Sequence, residues 1–137
     1  MATSPRVAMI DYGSGNLRSV EKALQHAGAD VRRCDSREGL DGCDAVVLPG
    51  VGSFGDCARS LHERGLIEPL RAWLAADRPY LGICLGYQIL FESSEESPEA
   101  EGLCHWRGKV VRFAAKPGLK VPHMGWNDLQ MRAPEPM

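Results

Sequence analysis

The strongest constraint on the fold is an alternation of short apolar segments with longer stretches of helical periodicity. The apolar segments end at turn residues, and most are rich in valine, leucine or isoleucine, which is typical of buried strands. They occupy residues 6–11, 30–34, 44–49 and 79–84. Strands separated by helices favour βαβ units, so we predict an α/β fold in three layers, with a mostly parallel sheet between helices.

Helical periodicity fills the intervals between these segments. In the first interval, apolar residues recur at helical spacing and Gly28 follows as a candidate C-cap. A second helical region covers residues 56–76, with an interruption at Gly65 and with Pro69 in the first turn of its second half. A third helix is predicted over residues 85–92. The apolar residues of the first helix are Leu17, Val20, Leu24 and Ala27.

Residues 98–137 differ in composition, since they hold five of the nine prolines. Apolar runs at residues 109–113 and 121–131 predict strands with loops between them. Residues 132–137 contain two of these five prolines and predict a loop. We predict no helix in this part of the chain.

The composition excludes several classes of function. The chain has 137 residues, the length of one domain. Lys and Arg total 16 against 18 Asp and Glu, and the net charge of −2 gives no electrostatic footprint for nucleic acid. No apolar run approaches the roughly 20 residues of a membrane span, and no targeting segment is recognised, so we expect a cytoplasmic protein.

Cysteine and histidine spacing argues against a disulfide framework or a metal centre. The five cysteines are odd in number and include no C-x-x-C pair, and the four histidines include no H-x₃₋₅-H or HExxH pattern. We therefore expect reduced thiols, no metal site and no cofactor. Most of the cysteines are expected to act as small buried hydrophobes.

The segment that carries chemistry is G-x-C-x-G at residues 82–86, between a predicted strand and a predicted helix. Its spacing is that of the nucleophile elbow, in which a strained turn lifts the central side chain above the sheet edge. Gly82 and Gly86 leave room for that turn, and the start of the following helix favours the thiolate of Cys84. The alternative is an ordinary tight turn in which Cys84 only fills space.

A second glycine-rich segment, PGVG at residues 49–52, closes another predicted strand and is expected at the same sheet edge. Backbone amides in such a segment can face an oxyanion, as acyl transfer requires. Residues 13–15 (GSG) also follow a strand, but Arg18 stands where a dinucleotide fingerprint needs its third glycine. These segments favour acyl transfer at a cysteine over nucleotide binding.

Four segments occur in the order of one known family. They are residues 11–17 (DYGSGNL), 48–56 (LPGVGSFGD), 82–96 (GICLGYQILFESSEE) and 119–127 (LKVPHMGWN). The chain resembles the class I, triad-type glutamine amidotransferases, and within them the subunits that serve imidazole glycerol phosphate synthase in histidine biosynthesis. This resemblance implies a flavodoxin-like fold, with residues 1–137 forming a single amidotransferase domain.

The resemblance implies a glutaminase reaction. Cys84 would attack the side-chain amide of L-glutamine and form a glutamyl thioester, which water then hydrolyses to glutamate. Gln88 occupies the position at which the family's motif glutamine helps to hold the substrate. The oxyanion hole would be built from backbone amides at Gly50, Val51, Gly52 and Leu85.

The resemblance also implies a protein partner. The released ammonia would pass to a cyclase subunit, a (βα)₈ barrel, that makes imidazole glycerol phosphate. The interface with this partner would include His123, Met124, Gly125, Trp126 and Asn127.

The sequence departs from the family pattern at the general base. The family's catalytic His and Glu lie in a later His-Pro-Glu segment, which residues 1–137 do not contain. We therefore expect a domain that is incomplete at its C-terminus and poorly active alone, since loss of a triad member costs on the order of 10⁴–10⁶ in turnover.

Two alternatives to a glutaminase stay open. One is a non-catalytic amidotransferase-like domain that only binds the synthase partner. The other is the related chaperone and peptidase-like group, whose members place His directly after the elbow cysteine, where this chain has Leu85.

Overall fold

The main sheet of the computed structural model, which describes residues 3–13, 15–130 and 132, has four strands. They run in the spatial order β2-β1-β3-β4, and every pairing is parallel. The predicted α/β fold with a mostly parallel sheet is therefore confirmed, with each strand end within about one residue of its predicted place. The strands are β1 (Arg6–Ile10), β2 (Asp30–Cys34), β3 (Ala45–Gly50) and β4 (Tyr80–Cys84).

In the described part of the chain, four helices connect or follow these strands: α1 (Leu17–His26), α2 (Phe54–Glu63), α3 (Ile67–Ala75) and α4 (Leu85–Gln88). A 3₁₀ turn at Arg37–Leu40 lies between β2 and β3. The interruption between α2 and α3 falls at Gly65, which has the positive φ of 63° that glycine adopts without strain.

The prediction of a helix over residues 85–92 is wrong in its length. The α-helix ends at Gln88, because the amides of Leu90 and Phe91 donate to carbonyls three residues back instead of four. Leu90 N bonds the Tyr87 carbonyl at 3.2 Å, and Phe91 N bonds the Gln88 carbonyl at 3.1 Å. The chain then turns away into a short strand, β5 (Ser93–Ser94).

One face of the main sheet carries the principal core. Ala8, Ile10, Val46 and Leu48 of the sheet belong to the same buried cluster as α2 and α3. The main contributions from those helices are Phe54, Cys57, Leu61, Leu70 and Trp73. Burial of this continuous apolar face supplies most of the driving force for the fold.

The opposite face is covered unevenly by the described residues. Met9 and Val47 are buried on it, where α1 lies beside β2. Leu81 shares this face because it is the register partner of Val47, yet it is 41% exposed. Ile83, two residues further along β4, is 37% exposed. The β4 end of this face is therefore an apolar surface that no described helix covers.

The strands predicted after residue 100 are mostly wrong. The apolar run at residues 109–113 contributes only β6 (Lys109–Val110), which pairs with β5 in a separate two-stranded parallel sheet. Residues 121–130 carry no helix or strand, and every residue from 111 to 130 is exposed. Alternating apolar residues need a neighbouring strand to pair with, and none is described here. Met131, the last residue of the predicted strand, and residues 133–137 of the predicted loop lie outside the described residues.

Within the described part of the chain, no helix has the length and apolar character needed to cross a membrane.

Candidate active site

Cys84 lies at the junction of β4 and α4 and is exposed. Its backbone has φ 55° and ψ −112°, a conformation that costs a non-glycine residue about 1–3 kcal/mol. This is the strained strand-to-helix turn that the sequence predicts for a nucleophile elbow. The turn places the thiol at the carboxyl edge of the sheet, where α/β proteins bind their ligands.

The two glycines of the motif are required by close backbone contacts. A Cβ atom at Gly82 would lie 2.4 Å from the carbonyl oxygen of Gly86. A Cβ atom at Gly86 would lie 1.7 Å from the carbonyl oxygen of Leu48 on β3. The first turn of α4 is therefore pressed against both β3 and β4, which leaves room only for glycine at these positions.

The PGVG segment reaches the same edge as Cys84. Gly50, the last residue of β3, is the register partner of Cys84, the last residue of β4. A Cβ atom at Gly50 would lie 2.5 Å from the Tyr12 hydroxyl oxygen and 3.0 Å from the Leu85 Cβ. Val51 is half-exposed, and Gly52 has a φ of 100° with open space around it.

The residues that follow this loop form the N-terminus of α2, whose first amides are capped by side chains. The Ser53 hydroxyl accepts from Asp56 N at 3.1 Å, which is a local N-cap. The Glu96 carboxylate accepts from Phe54 N at 3.2 Å, and the Ser97 hydroxyl accepts from Gly55 N at 3.0 Å. The turn at residues 94–97 therefore holds the loop that follows β3.

Comparison with known proteins identifies the family. The family model for "Glutamine amidotransferase class-I" matches residues 8–134. This chain belongs to the class-I glutamine amidotransferases. The G-x-C-x-G elbow and the PGVG segment both lie within the matched residues.

Two relatives of this amidotransferase carry a more specific description. This chain is 53% identical over 129 residues to "Imidazole glycerol phosphate synthase subunit HisH" of Trichodesmium erythraeum. The alignment covers 94% of this chain and 60% of the relative. The chain is 51% identical over 131 residues to "Imidazole glycerol phosphate synthase subunit HisH 2" of Parasynechococcus marenigrum, covering 96% of this chain and 61% of the relative. The chain thus spans about 60% of the length of these relatives.

A solved structure supports the fold of the amidotransferase. "Crystal structure of glutamine amidotransferase" superposes with a TM-score of 0.66 at 23% identity, covering 77% of this chain and 56% of that chain. At this identity, the similarity shows a shared fold and carries no information on the substrate.

The thiol of the amidotransferase elbow stands apart from other side chains. Among residues 3–13, 15–130 and 132, none forms a hydrogen bond or an ion pair with the Cys84 thiol. The four histidines lie elsewhere: His26 ends α1, His62 lies in α2, His105 packs against Trp106, and His123 lies in an exposed loop. The sequence predicts that the dipole of the following helix favours the thiolate. This effect is smaller than predicted, because α4 has only four residues.

Gln88 is the last residue of α4 and is half-buried, four residues after Cys84. Cys84 is the N-cap of this four-residue helix, so one helical turn separates the two residues. Beside this helix, three aromatic rings form a cluster with centroids 5.7–6.0 Å apart, in which two pairs are edge-to-face and the third is tilted. Its members, which the sequence did not single out, are Tyr87, Phe91 and Trp106.

A buried polar cluster lies beneath the elbow and was also missed from the sequence. It contains Tyr12, Cys57 and Tyr80 from three different elements or loops. Burial raises the pKa of the Cys57 thiol to about 11, although a hydrogen bond with Tyr12 opposes this shift. Burial, with Cys57 and Tyr12 nearby, raises the pKa of Tyr80 well above its ordinary value. Cys57 and Tyr80 therefore stay neutral at physiological pH.

The predicted partner-binding segment is fully exposed. His123, Met124, Gly125, Trp126 and Asn127 all lie in the loop region that follows β6. Trp126 and Met124 are 102% and 85% exposed, which is unusual for side chains of their size. Among the described residues, no hydrogen bond, ion pair or ring contact joins residues 123–127 to the elbow.

No metal centre is found in the part of the chain that the structure describes. No group of three or more His, Cys, Asp or Glu side chains there is arranged to hold a metal ion. A groove of about 930 Å³ between α2, α3 and residues 97–101 is lined by both acidic and basic side chains, and Cys84 is not among its lining residues.

Proposed function

We propose that this amidotransferase chain carries the nucleophile half of a glutaminase subunit that supplies ammonia to an imidazole glycerol phosphate synthase. The main support is the register pairing of Gly50 with Cys84, which sets a strained cysteine elbow beside a glycine-rich loop. Relatives about 50% identical to the chain are described as synthase subunits.

The reaction begins at the Cys84 thiolate, which attacks the carboxamide carbon of L-glutamine. A carbon–sulfur bond forms, and the carbonyl electron pair moves onto oxygen. Donors for this oxyanion are the Leu85 amide, at the start of α4, and amides of the loop formed by Gly50, Val51 and Gly52. Collapse of the adduct breaks the carbon–nitrogen bond, and the nitrogen leaves as ammonia after gaining a proton.

Water completes the cycle by hydrolysing the glutamyl thioester. A carbon–oxygen bond forms, the carbon–sulfur bond breaks, and glutamate leaves with Cys84 restored as a thiol. Gln88, one helical turn after Cys84, holds the substrate through its carboxamide. Both half-reactions need a general acid and base, a role that we assign to none of the four described histidines.

The ammonia passes to a partner subunit, a (βα)₈-barrel cyclase. We propose that residues 123–127 form part of the contact with this partner. Trp126 and Met124 support this role because large exposed apolar side chains commonly anchor protein interfaces.

A second candidate function is binding to the partner without catalysis. It is favoured by the observation that no described side chain forms a hydrogen bond with the Cys84 thiol. A thiol without a base forms only a small fraction of thiolate at neutral pH, which would leave the elbow unused.

Glutamate release separates these two functions. The purified chain would be incubated with L-glutamine, with and without the barrel partner, beside the Cys84→Ser variant. A glutaminase releases glutamate faster than the variant does, even where the rate is low. Binding to the partner with equal glutamate release from both proteins would instead support the non-catalytic function.

A further inference from the structure

We propose that Tyr80 is a positioning residue of the elbow, whose hydroxyl fixes the Gly86 carbonyl and thereby the turn that presents Cys84. The Tyr80 hydroxyl donates a hydrogen bond of 2.7 Å to this carbonyl. The inference rests on the proposed glutaminase function, because it concerns how the thiol and the Leu85 amide are presented to a substrate.

The Gly86 carbonyl needs this donor because α4 is so short. In a longer α-helix it would accept from the amide of residue 90. Here Leu90 N donates instead to the Tyr87 carbonyl at 3.2 Å, as the chain tightens after Gln88. Gly86 is buried, and a buried carbonyl without a donor costs about 1–3 kcal/mol. The Tyr80 hydroxyl takes the place of the missing helical donor.

The Gly86 peptide is also where the elbow has least freedom to shift. Its Cα packs so closely on β3 that an added Cβ would lie 1.7 Å from the Leu48 carbonyl oxygen. Its carbonyl oxygen also lies close to β4, where a Cβ added at Gly82 would be 2.4 Å away. A strained residue such as Cys84, with φ 55°, persists only where its surroundings hold it in several places. The Tyr80 hydrogen bond is one of these constraints.

The Tyr80 side chain is well placed to hold a fixed position. Its backbone pairs with Val46 on β3, and its ring packs against the principal core. Burial keeps the pKa of its hydroxyl well above the ordinary value, so the group remains a donor at any pH suited to the enzyme. Neighbouring Cys57 and Tyr12 have no positive charge that would favour ionisation.

The test measures how fast a diazoketone analogue of glutamine modifies Cys84 in the full chain and in the Tyr80→Phe variant. This variant removes only the hydroxyl. The maximal rate of modification is expected to fall about tenfold, because small displacements of reacting groups have large kinetic effects. The reagent concentration at half-maximal rate is expected to stay unchanged, since Gln88 is untouched. An unchanged maximal rate would overturn the proposal.

Trp73→Phe is the matched control. The Trp73 indole donates to the Pro79 carbonyl at 3.0 Å, so this variant also loses a buried hydrogen bond to backbone next to β4. Its Cys84 is expected to react at the original rate. An equal loss of rate in both variants would show a general loss of stability and overturn the positioning role.

A second pair of variants keeps the test decisive if Tyr80→Phe does not fold. Position 80 would carry p-aminophenylalanine, which keeps a donor, or p-methylphenylalanine, which has the same size without one. Faster modification of the amino variant supports the proposal, and equal rates overturn it. Failure of the glutaminase proposal itself gives a different result, in which L-glutamine does not protect Cys84 in the unaltered chain.

Discussion

Gly50 and Cys84 are register partners at the carboxyl ends of two adjacent parallel strands. This pairing brings the PGVG loop and the elbow cysteine to one edge of the sheet, although they are 34 residues apart in sequence. The first turn of α4 packs closely against both strands. This close packing leaves room only for glycine at positions 82 and 86. The geometry of the site therefore depends on how the strands of the sheet pair. Substitutions of single residues can test this geometry.

Gly86→Ala is expected to destabilise the fold strongly. The added methyl group would collide with the Leu48 carbonyl, and overpacking costs about 1–3 kcal/mol and more where backbone must shift, as it must here. Gly28→Ala is the matched control, because Gly28 has a φ of 94° but open space around it. The control is expected to lose about 1 kcal/mol from strain alone. Urea denaturation measures both, and equal losses would contradict the close contact.

Cys57 is expected to make stability depend on pH at the alkaline end. Its thiol ionises near pH 9.0 in the unfolded chain but has a pKa of about 11 in the fold. The unfolded chain therefore loses its proton first, and stability falls as the pH rises from about 9 to 11. Below this range the contribution is fully present. The loss is about 3 kcal/mol at most.

Urea denaturation at pH 8 and at pH 11 measures this change. The Cys57→Ala variant is the control, and it should lose less stability than the unaltered chain between the two values. The same loss in both proteins would show that Cys57 is not the group responsible.

The cysteines are expected to divide into two reactivity classes. Cys34, Cys43 and Cys57 are buried, whereas Cys84 and Cys104 are exposed. Titration of the native chain with a disulfide reagent should therefore modify two thiols quickly, and all five after denaturation. Rapid modification of a third thiol in the native chain would contradict the described packing.

Ser97→Ala is expected to loosen the start of α2. The variant loses the hydroxyl that accepts from Gly55 N, and loss of a helix cap costs about 1 kcal/mol. Hydrogen exchange at the Gly55 amide should become faster, while exchange within α3 should not change. Unchanged exchange at Gly55 would show that Ser97 does not cap the helix.

Trp126→Ala tests the proposed interface. Trp126 is fully exposed, so the variant should keep the stability of the unaltered chain. Its affinity for the barrel partner should fall by at least about tenfold if Trp126 is an anchor. Phe113→Ala, which is 81% exposed but outside residues 123–127, is the control and should bind normally. Titration calorimetry measures both, and equal affinities would exclude the role proposed for Trp126.

The sequence predicted the four main strands and the elbow because local patterns determine them. The apolar run that forms β3 and the glycine that closes it predict that Gly50 ends the strand. The G-x-C-x-G spacing predicts the strained turn at Cys84. Ser53 also has a local signal, since a serine with an acidic residue three positions later is typical of a helix N-terminus.

Long-range contacts were beyond the reach of these patterns. Ser97 caps an amide 42 residues away, and Tyr80 reaches the Gly86 carbonyl only because α4 stops at Gln88. The strands predicted at 109–113 and 121–131 relied on apolar alternation, which does not reveal whether a pairing strand exists. The roles of Cys84, its oxyanion donors and Gln88 stay predictions.

The most direct measurement of the central claim compares Cys84 with Cys104. Both are exposed and have nearly the same positive φ, 55° and 54°, so neither access to the thiol nor an unusual φ alone distinguishes them. Peptide mapping after treatment with a diazoketone analogue of glutamine would give the modification rate at each thiol, with and without L-glutamine. We predict rapid modification of Cys84 that L-glutamine suppresses, and little modification of Cys104. Similar rates at the two cysteines, with no protection by L-glutamine, would contradict the assignment of Cys84 as the nucleophile.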